Sequence, residues 1–182
     1  MAQFLRDERI ANLTIDREAV AQFAAVFEKR WKALNVEQGD NKIMFYVIRF
    51  DNKGYRVFST NELFQYFDQA KEVERIIFTI ETETSIRSNR NIGAYLELRF
   101  DGRDPNFCYI SVTSDDSDWV DASFSAVHEV VSKFKNKNSW ARSPWMPLLI
   151  QLGGVFLGFV ISLWAAVIIS PKLNLENAFV IT

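Results

Sequence analysis

Apolar positions along this chain change their period several times, and each change marks an element. From Asp16 onward, Val20, Phe23, Phe27, Trp31 and Leu34 recur at three- and four-residue spacing, with Arg17, Glu18, Glu28, Lys29 and Lys32 mostly elsewhere on the wheel. This spacing predicts an amphipathic helix with one face for a core. It stops at the turn-rich Gln38-Gly39-Asp40-Asn41. From Lys42 to Phe50 the chain is β-branched and aromatic on both faces, as expected of a strand inside a sheet. Asp51-Asn52-Lys53-Gly54 reads as a hairpin turn and Tyr55 to Phe58 as the returning strand. Ser59 and Glu62 have the spacing of a capping box, opening a short helix through Leu63, Phe64 and Phe67; the alternative is a loop with buried aromatics.

Three strands follow. Arg75 to Glu83 aligns Ile76, Phe78 and Ile80 on one face, and Phe107 to Thr113 turns Cys108, Ile110 and Val112 inward. Between them, Ala94 to Phe100 alternates Ala94, Leu96, Leu98 and Phe100 with outward Tyr95, Glu97 and Arg99, the mark of a sheet with one wet face. Thr84 to Asn91 reads as a polar loop, and residues 101–106 as a turn. Asp115-Asp116-Ser117-Asp118 then opens a second long helix with a stripe of Val120, Phe124, Val127, Val131 and Phe134. Near the start, Ala11, Leu13 and Ile15 alternate with Asn12 and Thr14 as in a short strand. The order predicts an α+β fold: an antiparallel sheet of about five strands with two long helices packed on one face, followed by a transmembrane helix.

That last element is the apolar run from Trp145 to Ile169, interrupted only by Gln151 and Ser162. No charge occurs between Arg142 and Lys172. At about 1.5 Å per residue such a run crosses a hydrocarbon core of about 30 Å. The chain therefore divides into a globular domain over 1–136, a juxtamembrane linker over 137–145, a span over 146–169, and 170–182 as a far-side tail or the opening of a second span. Within the span Gly154, Gly158, Ser162 and Ala166 recur every fourth residue, with Gln151 near the same face. Small residues at this spacing let helix backbones approach closely, so they predict a helix-packing face. Trp140, Arg142 and Trp145 are placed as interfacial anchors.

Composition and charge narrow the picture. Among 182 residues, 48% are apolar and 24% charged, so the domain is not disordered by composition. A net charge of −2 supplies no basic footprint for nucleic acid. The single cysteine excludes an internal disulfide and fits a reducing compartment. The first ten residues lack the apolar run of a signal peptide. Lys133, Lys135, Lys137 and Arg142 precede the span and only Lys172 follows closely, which predicts a cytosolic N-terminal domain, at the plasma or inner membrane if the source is bacterial.

Candidate chemistry is sparse. His128, the only histidine, lies on the border of a helix stripe without companions for a zinc site, and Cys108 sits in an inward register. Asp115, Asp116, Asp118 and Asp121 cluster where a helix start needs caps, without the glycine and distal Glu of a calcium loop. Arg87 and Arg90 form a small basic loop suited to a phosphate or an acidic segment. No phosphate-cradling glycine loop, nucleophile elbow or HExxH motif occurs, so no catalytic residue, cofactor or metal ligand is assigned. The expected partners are the lipid bilayer and a second copy or another membrane protein. Two roles fit: a membrane-anchored binding or scaffold domain, or a membrane effector whose domain senses a signal and whose span oligomerises to perturb the bilayer.

Overall fold

The computed structural model of the protein describes residues 3–11, 13–36, 39–135 and 145–169. Trp140, Arg142, most of the expected linker and the tail 170–182 lie outside these residues. The chain divides into two compact units, Met1–Asn136 and Lys137–Thr182.

In the first unit six strands form one sheet: β1 (Phe4–Arg9), β2 (Lys42–Phe50), β3 (Lys53–Val57), β4 (Arg75–Thr82), β5 (Tyr95–Asp101) and β6 (Tyr109–Ser114). Their order across the sheet is β1-β6-β5-β4-β2-β3, with every neighbour antiparallel. The helices are α1 (Arg17–Ala33), α2 (Thr60–Gln69), α3 (Glu83–Arg87) and α4 (Ser117–Phe134). Alternation decides which sheet face they cover. Tyr46, Ile48, Ile76, Phe78, Ile80, Leu96, Leu98, Ile110 and Val112 point to one side, and α1, α2 and α4 bury Val20, Phe23, Phe27, Leu63, Val120 and Val127 against them in one core. The centre is aromatic: the Phe23 ring lies 5.9 Å from Phe78 and 5.3 Å from Phe100, tilted in both cases.

The helices start where side-chain acceptors meet free backbone N–H groups. Asp16 accepts from the Ala19 N–H, Asp116 from those of Asp118 and Trp119, and Ser59 from that of Glu62. The Glu62 carboxylate reaches back to the N–H of Phe58, one residue earlier than the usual capping box. Asp51 and Asn52 both adopt positive φ, 50° and 59°, as a two-residue hairpin turn requires, so β3 begins already at Lys53.

Several sequence expectations are corrected. The first strand is Phe4–Arg9 rather than 11–15, where Leu13 forms only an isolated bridge to Lys135. All six residues of β1 are exposed, so apolar periodicity carried no signal of it. Among the described residues the antiparallel sheet thus has six strands, against the about five expected. The expected polar loop after β4 contains the short helix α3, whose start Thr82 caps by accepting from the Ser85 N–H. Phe107 and Cys108 precede β6 instead of belonging to it, with Phe107 in a 3-10 turn.

The connection from α3 to β5 is held tightly. The Thr82 hydroxyl also accepts from the Ala94 N–H, beside Gly93 at φ +86°. A Cβ on Gly93 would stand 2.6 Å from Thr82 Oγ1 and 2.9 Å from the Ser85 nitrogen. Gly93→Ala is therefore expected to cost about 1–2 kcal/mol, from the left-handed backbone and the collision together. A lower midpoint of chemical denaturation checks this.

Candidate functional site

Among its described residues the second unit holds one helix long and apolar enough to cross a membrane, at the C-terminal side of the chain. This helix, α5 (Met146–Ile169), contains a 23-residue stretch, Met146–Ile168, of mean hydropathy 2.1. At about 1.5 Å per residue it measures roughly 35 Å. Gln151, Gly154, Gly158, Ser162 and Ala166 all lie on α5 and are exposed. A Cβ added at Gly154 or Gly158 would meet nothing within 4 Å, so the ladder of small side chains is open. Each step of four residues turns it by about 40°, so it winds slowly round the helix. Of the expected interfacial anchors only Trp145 is described; it is exposed, and its carbonyl accepts from the Leu149 N–H.

A second surface, on the first unit, is the sheet face that carries none of α1, α2 or α4. Phe45, Val47 and Arg49 of β2 point there, with Ile77, Thr79 and Glu81 of β4, Tyr95, Glu97, Arg99 and Asp101 of β5, and Tyr109, Ser111 and Thr113 of β6. This face was expected to be wet, yet Thr79, Tyr95, Glu97 and Asp101 in its middle are buried. Glu97 and Asp101 lie on its floor, their side chains only 9% and 3% exposed. One Glu97 oxygen accepts from the Tyr95 hydroxyl and the other from that of Tyr109, while Arg90 Nη2 stands 3.7 Å away. Asp101 accepts from Arg75 at 2.7 Å, with Arg99 at 3.5 Å.

Electrostatics follow from this layering. Burial drives the Tyr95 hydroxyl far above the usual phenol range, and the Glu97 carboxylate adds to the shift, so Tyr95 remains a donor. Tyr109 is raised for the same two reasons. Burial also raises Glu81, and the nearby Arg90 and Arg56 offset only part of that. At Asp101 burial pushes upward, but hydrogen bonds from Arg75 and from the backbone N–H groups of Asp104 and Arg103 outweigh it and hold the carboxyl low. Arginines lie above these acids. The Arg56 guanidinium sits 4.6 Å from the Phe45 ring centroid, and that of Arg90 3.9 Å from Tyr95.

The residues singled out in the sequence fall at separate places. Arg87 pairs with Glu83 within α3, whereas Arg90 joins the Glu97 cluster. His128 stands on the α4 border, 3.5 Å from Glu8 of β1, its ring stacked on Phe124. Cys108 is half-buried with its thiol raised by burial; it accepts from the Asp101 N–H. Asp116 caps α4 and Asp121 pairs with Arg6 at 2.8 Å. Among the described residues no group of three or more His, Cys, Asp or Glu side chains could hold a metal. Glu97 with its two tyrosines was missed by sequence reasoning. The only signal was a carboxylate in the middle of a strand whose cross-strand neighbours, Thr79 and Ser111, carry no opposite charge.

Comparison with protein families, with curated proteins and with solved structures finds no match to this chain.

Proposed function

We propose that this chain is a membrane-anchored binding or scaffold domain, held by α5 and associating with a second copy or another membrane protein through the small-residue face of that helix. The observation that carries the reading is the open ladder of Gly154, Gly158, Ser162 and Ala166 on a helix long and apolar enough to span. In lipid, close backbone packing is a main source of helix association. The bias of Lys133, Lys135, Lys137 and Arg142 over Lys172 supports a cytosolic placement of the N-terminal domain. The sheet face with its arginines supports binding over catalysis, because Glu97 and Asp101 are paired with arginines instead of aimed at a cleft.

Gly158→Ile puts a branched side chain on the ladder. It is expected to shift the protein toward monomer in mild detergent and in nanodiscs, read by single-molecule photobleaching. An unchanged distribution overturns association through this face. A second reading, an effector whose oligomerised span perturbs the bilayer, is favoured by Gln151, an amide side chain on a helix that is apolar but for Gln151 and Ser162. Expression in cells loaded with a membrane-potential dye separates the two, since a scaffold leaves the potential intact.

A further inference from the structure

We propose that the helix-free face of the sheet, over Ile43 and Phe58 with Arg56 and Arg90, docks an acidic, apolar segment of a partner protein. The inference rests on the reading of this chain as a binding domain and names its surface and the chemistry of its partner.

The argument begins with where apolar surface is left uncovered. Among the described residues of the domain, the exposed large apolar side chains are Phe4, Leu5, Ile43, Phe58, Ile86, Ile92 and Phe107. All but Phe107 stand at one end of the sheet, because the register aligns the start of β1 and β2 with the end of β3 and with the β4–β5 connection. Three of them extend the helix-free face. Phe58 packs 6.4 Å from Phe45 and remains 62% exposed, Ile43 lies opposite Glu81, and Leu5 opposite Thr113. Phe58, just after β3, and Ile43 of the neighbouring β2 form the apolar part of the site, whereas Leu5 is on the opposite edge strand. Exposed apolar groups set among charges mark interaction sites in soluble domains.

Charge then selects the occupant. Of the carboxylates on this face Glu97 and Asp101 are sunk and Glu81 is half-buried near Arg90 and Arg56, whereas the guanidinium groups of Arg56 and Arg90 are exposed. Glu97 is only 9% exposed against 50% for its partner Arg90. Asp101 is 3% exposed against 32% for Arg75. Arg56 is exposed and makes no ion pair among the described residues, its guanidinium lying over the Phe45 ring. An arginine stacked flat on an aromatic keeps its N–H edges free for bidentate contact with a carboxylate. An approaching segment thus meets guanidinium edges interleaved with apolar surface. Nucleic acid fits less well: Arg56 and Arg90 occupy the faces of Phe45 and Tyr95 on which bases would stack, and the chain is net acidic. The connection that presents Arg90 is rigid, with Asn89 and Arg90 at φ 54° and 67° and the Ser88 hydroxyl bonded to both the N–H and the carbonyl of Ile92. Pre-organisation of this kind lowers the ordering cost of binding.

The test uses the full chain in zwitterionic nanodiscs and a displayed library of random peptides. Selection is expected to enrich peptides that combine Asp or Glu with apolar residues. Their binding should weaken by about tenfold or more in Arg56→Ser with Phe58→Ser, both exposed edge positions whose replacement leaves the fold intact by circular dichroism. Arg56→Glu should reverse the charge preference of the selected peptides. Peptides that bind the wild type and the double variant alike overturn this face but leave a binding domain standing. Absence of any enrichment overturns peptide docking at this face, while association through α5 is decided separately by Gly158→Ile. Loss of self-association in the double variant, or tight binding of a mixed-sequence oligonucleotide that the double variant abolishes, overturns the proposed occupant in favour of a second copy or of nucleic acid.

Discussion

Phe23→Ala is expected to lower the stability of the domain by about 3–5 kcal/mol, the cost of emptying a large site in a core that cannot collapse into it. Phe23 is fully buried on α1 and its ring meets Phe78 of β4, Phe100 of β5 and, at 6.5 Å, Phe134 of α4. It therefore joins one helix to the sheet and to the other long helix at once. The alanine leaves three rings each lacking a neighbour, and the helices are held apart by Val20, Phe27 and Val127, which remain. Chemical denaturation of the full chain in mild detergent, followed by fluorescence, measures the loss. Trp119 is buried in the domain and reports its unfolding. Phe107→Ala, at an exposed ring, is the control and should change little.

Glu97→Ala is expected to cost about 2–4 kcal/mol for a different reason. It removes the acceptor of two phenol hydroxyls, those of Tyr95 and Tyr109, and the counter-charge of Arg90. A buried donor left without a partner costs about 1–3 kcal/mol, and Tyr109 recovers part of its share from solvent because it is only half-buried. Glu97→Gln keeps one acceptor oxygen and should lose roughly half as much. The two variants also differ from a merely structural change in a spectroscopic readout. Removing the negative charge lowers the Tyr95 hydroxyl toward the ordinary phenol range, since Glu97 is among the causes that raise it. Ultraviolet difference absorbance through an alkaline titration follows that ionisation. A Tyr95 transition that stays where it was in Glu97→Gln contradicts the assignment.

The parts of this molecule that the sequence made legible share one property: each has a single apolar face with a clean period. Phe23, Phe27 and Trp31 on α1, Val120, Val127 and Val131 on α4, and Leu96, Leu98 and Phe100 on β5 announce both the element and its inward side. The apolar helix α5 was plain for the same reason. Elements whose existence depends on polar pairing were not. β1 is exposed along its length and is held by its register with β6, by Arg6 to Asp121 and by Glu8 beside His128. α3 has one fully buried residue, Ser85, and exists because Thr82 caps it and Asn41 and Asp40 receive its first N–H groups. The outward residues of β5 were read correctly as pointing away from the helices, but not as buried. Long side chains on neighbouring strands can close over a polar floor, and no periodicity records that. The candidate docking face was half-visible at most, through the arginines of the α3 connection.

The sheet order carries a consequence for how the domain assembles. β1 leaves the ribosome before any other strand, yet its only neighbour in the sheet is β6, the last one made. Strands β2 to β5 can pair among themselves while β1 waits, because each of those pairings closes a shorter loop. A strand kept waiting with bare edges invites pairing with the wrong chain. Here the waiting segment is Phe4-Leu5 followed by Arg6-Asp7-Glu8-Arg9, two apolar residues and then four charged ones. Those charges suit a segment that is exposed until α4 supplies Asp121 and His128, so the composition that hid this strand from view also guards an edge whose partner is made last.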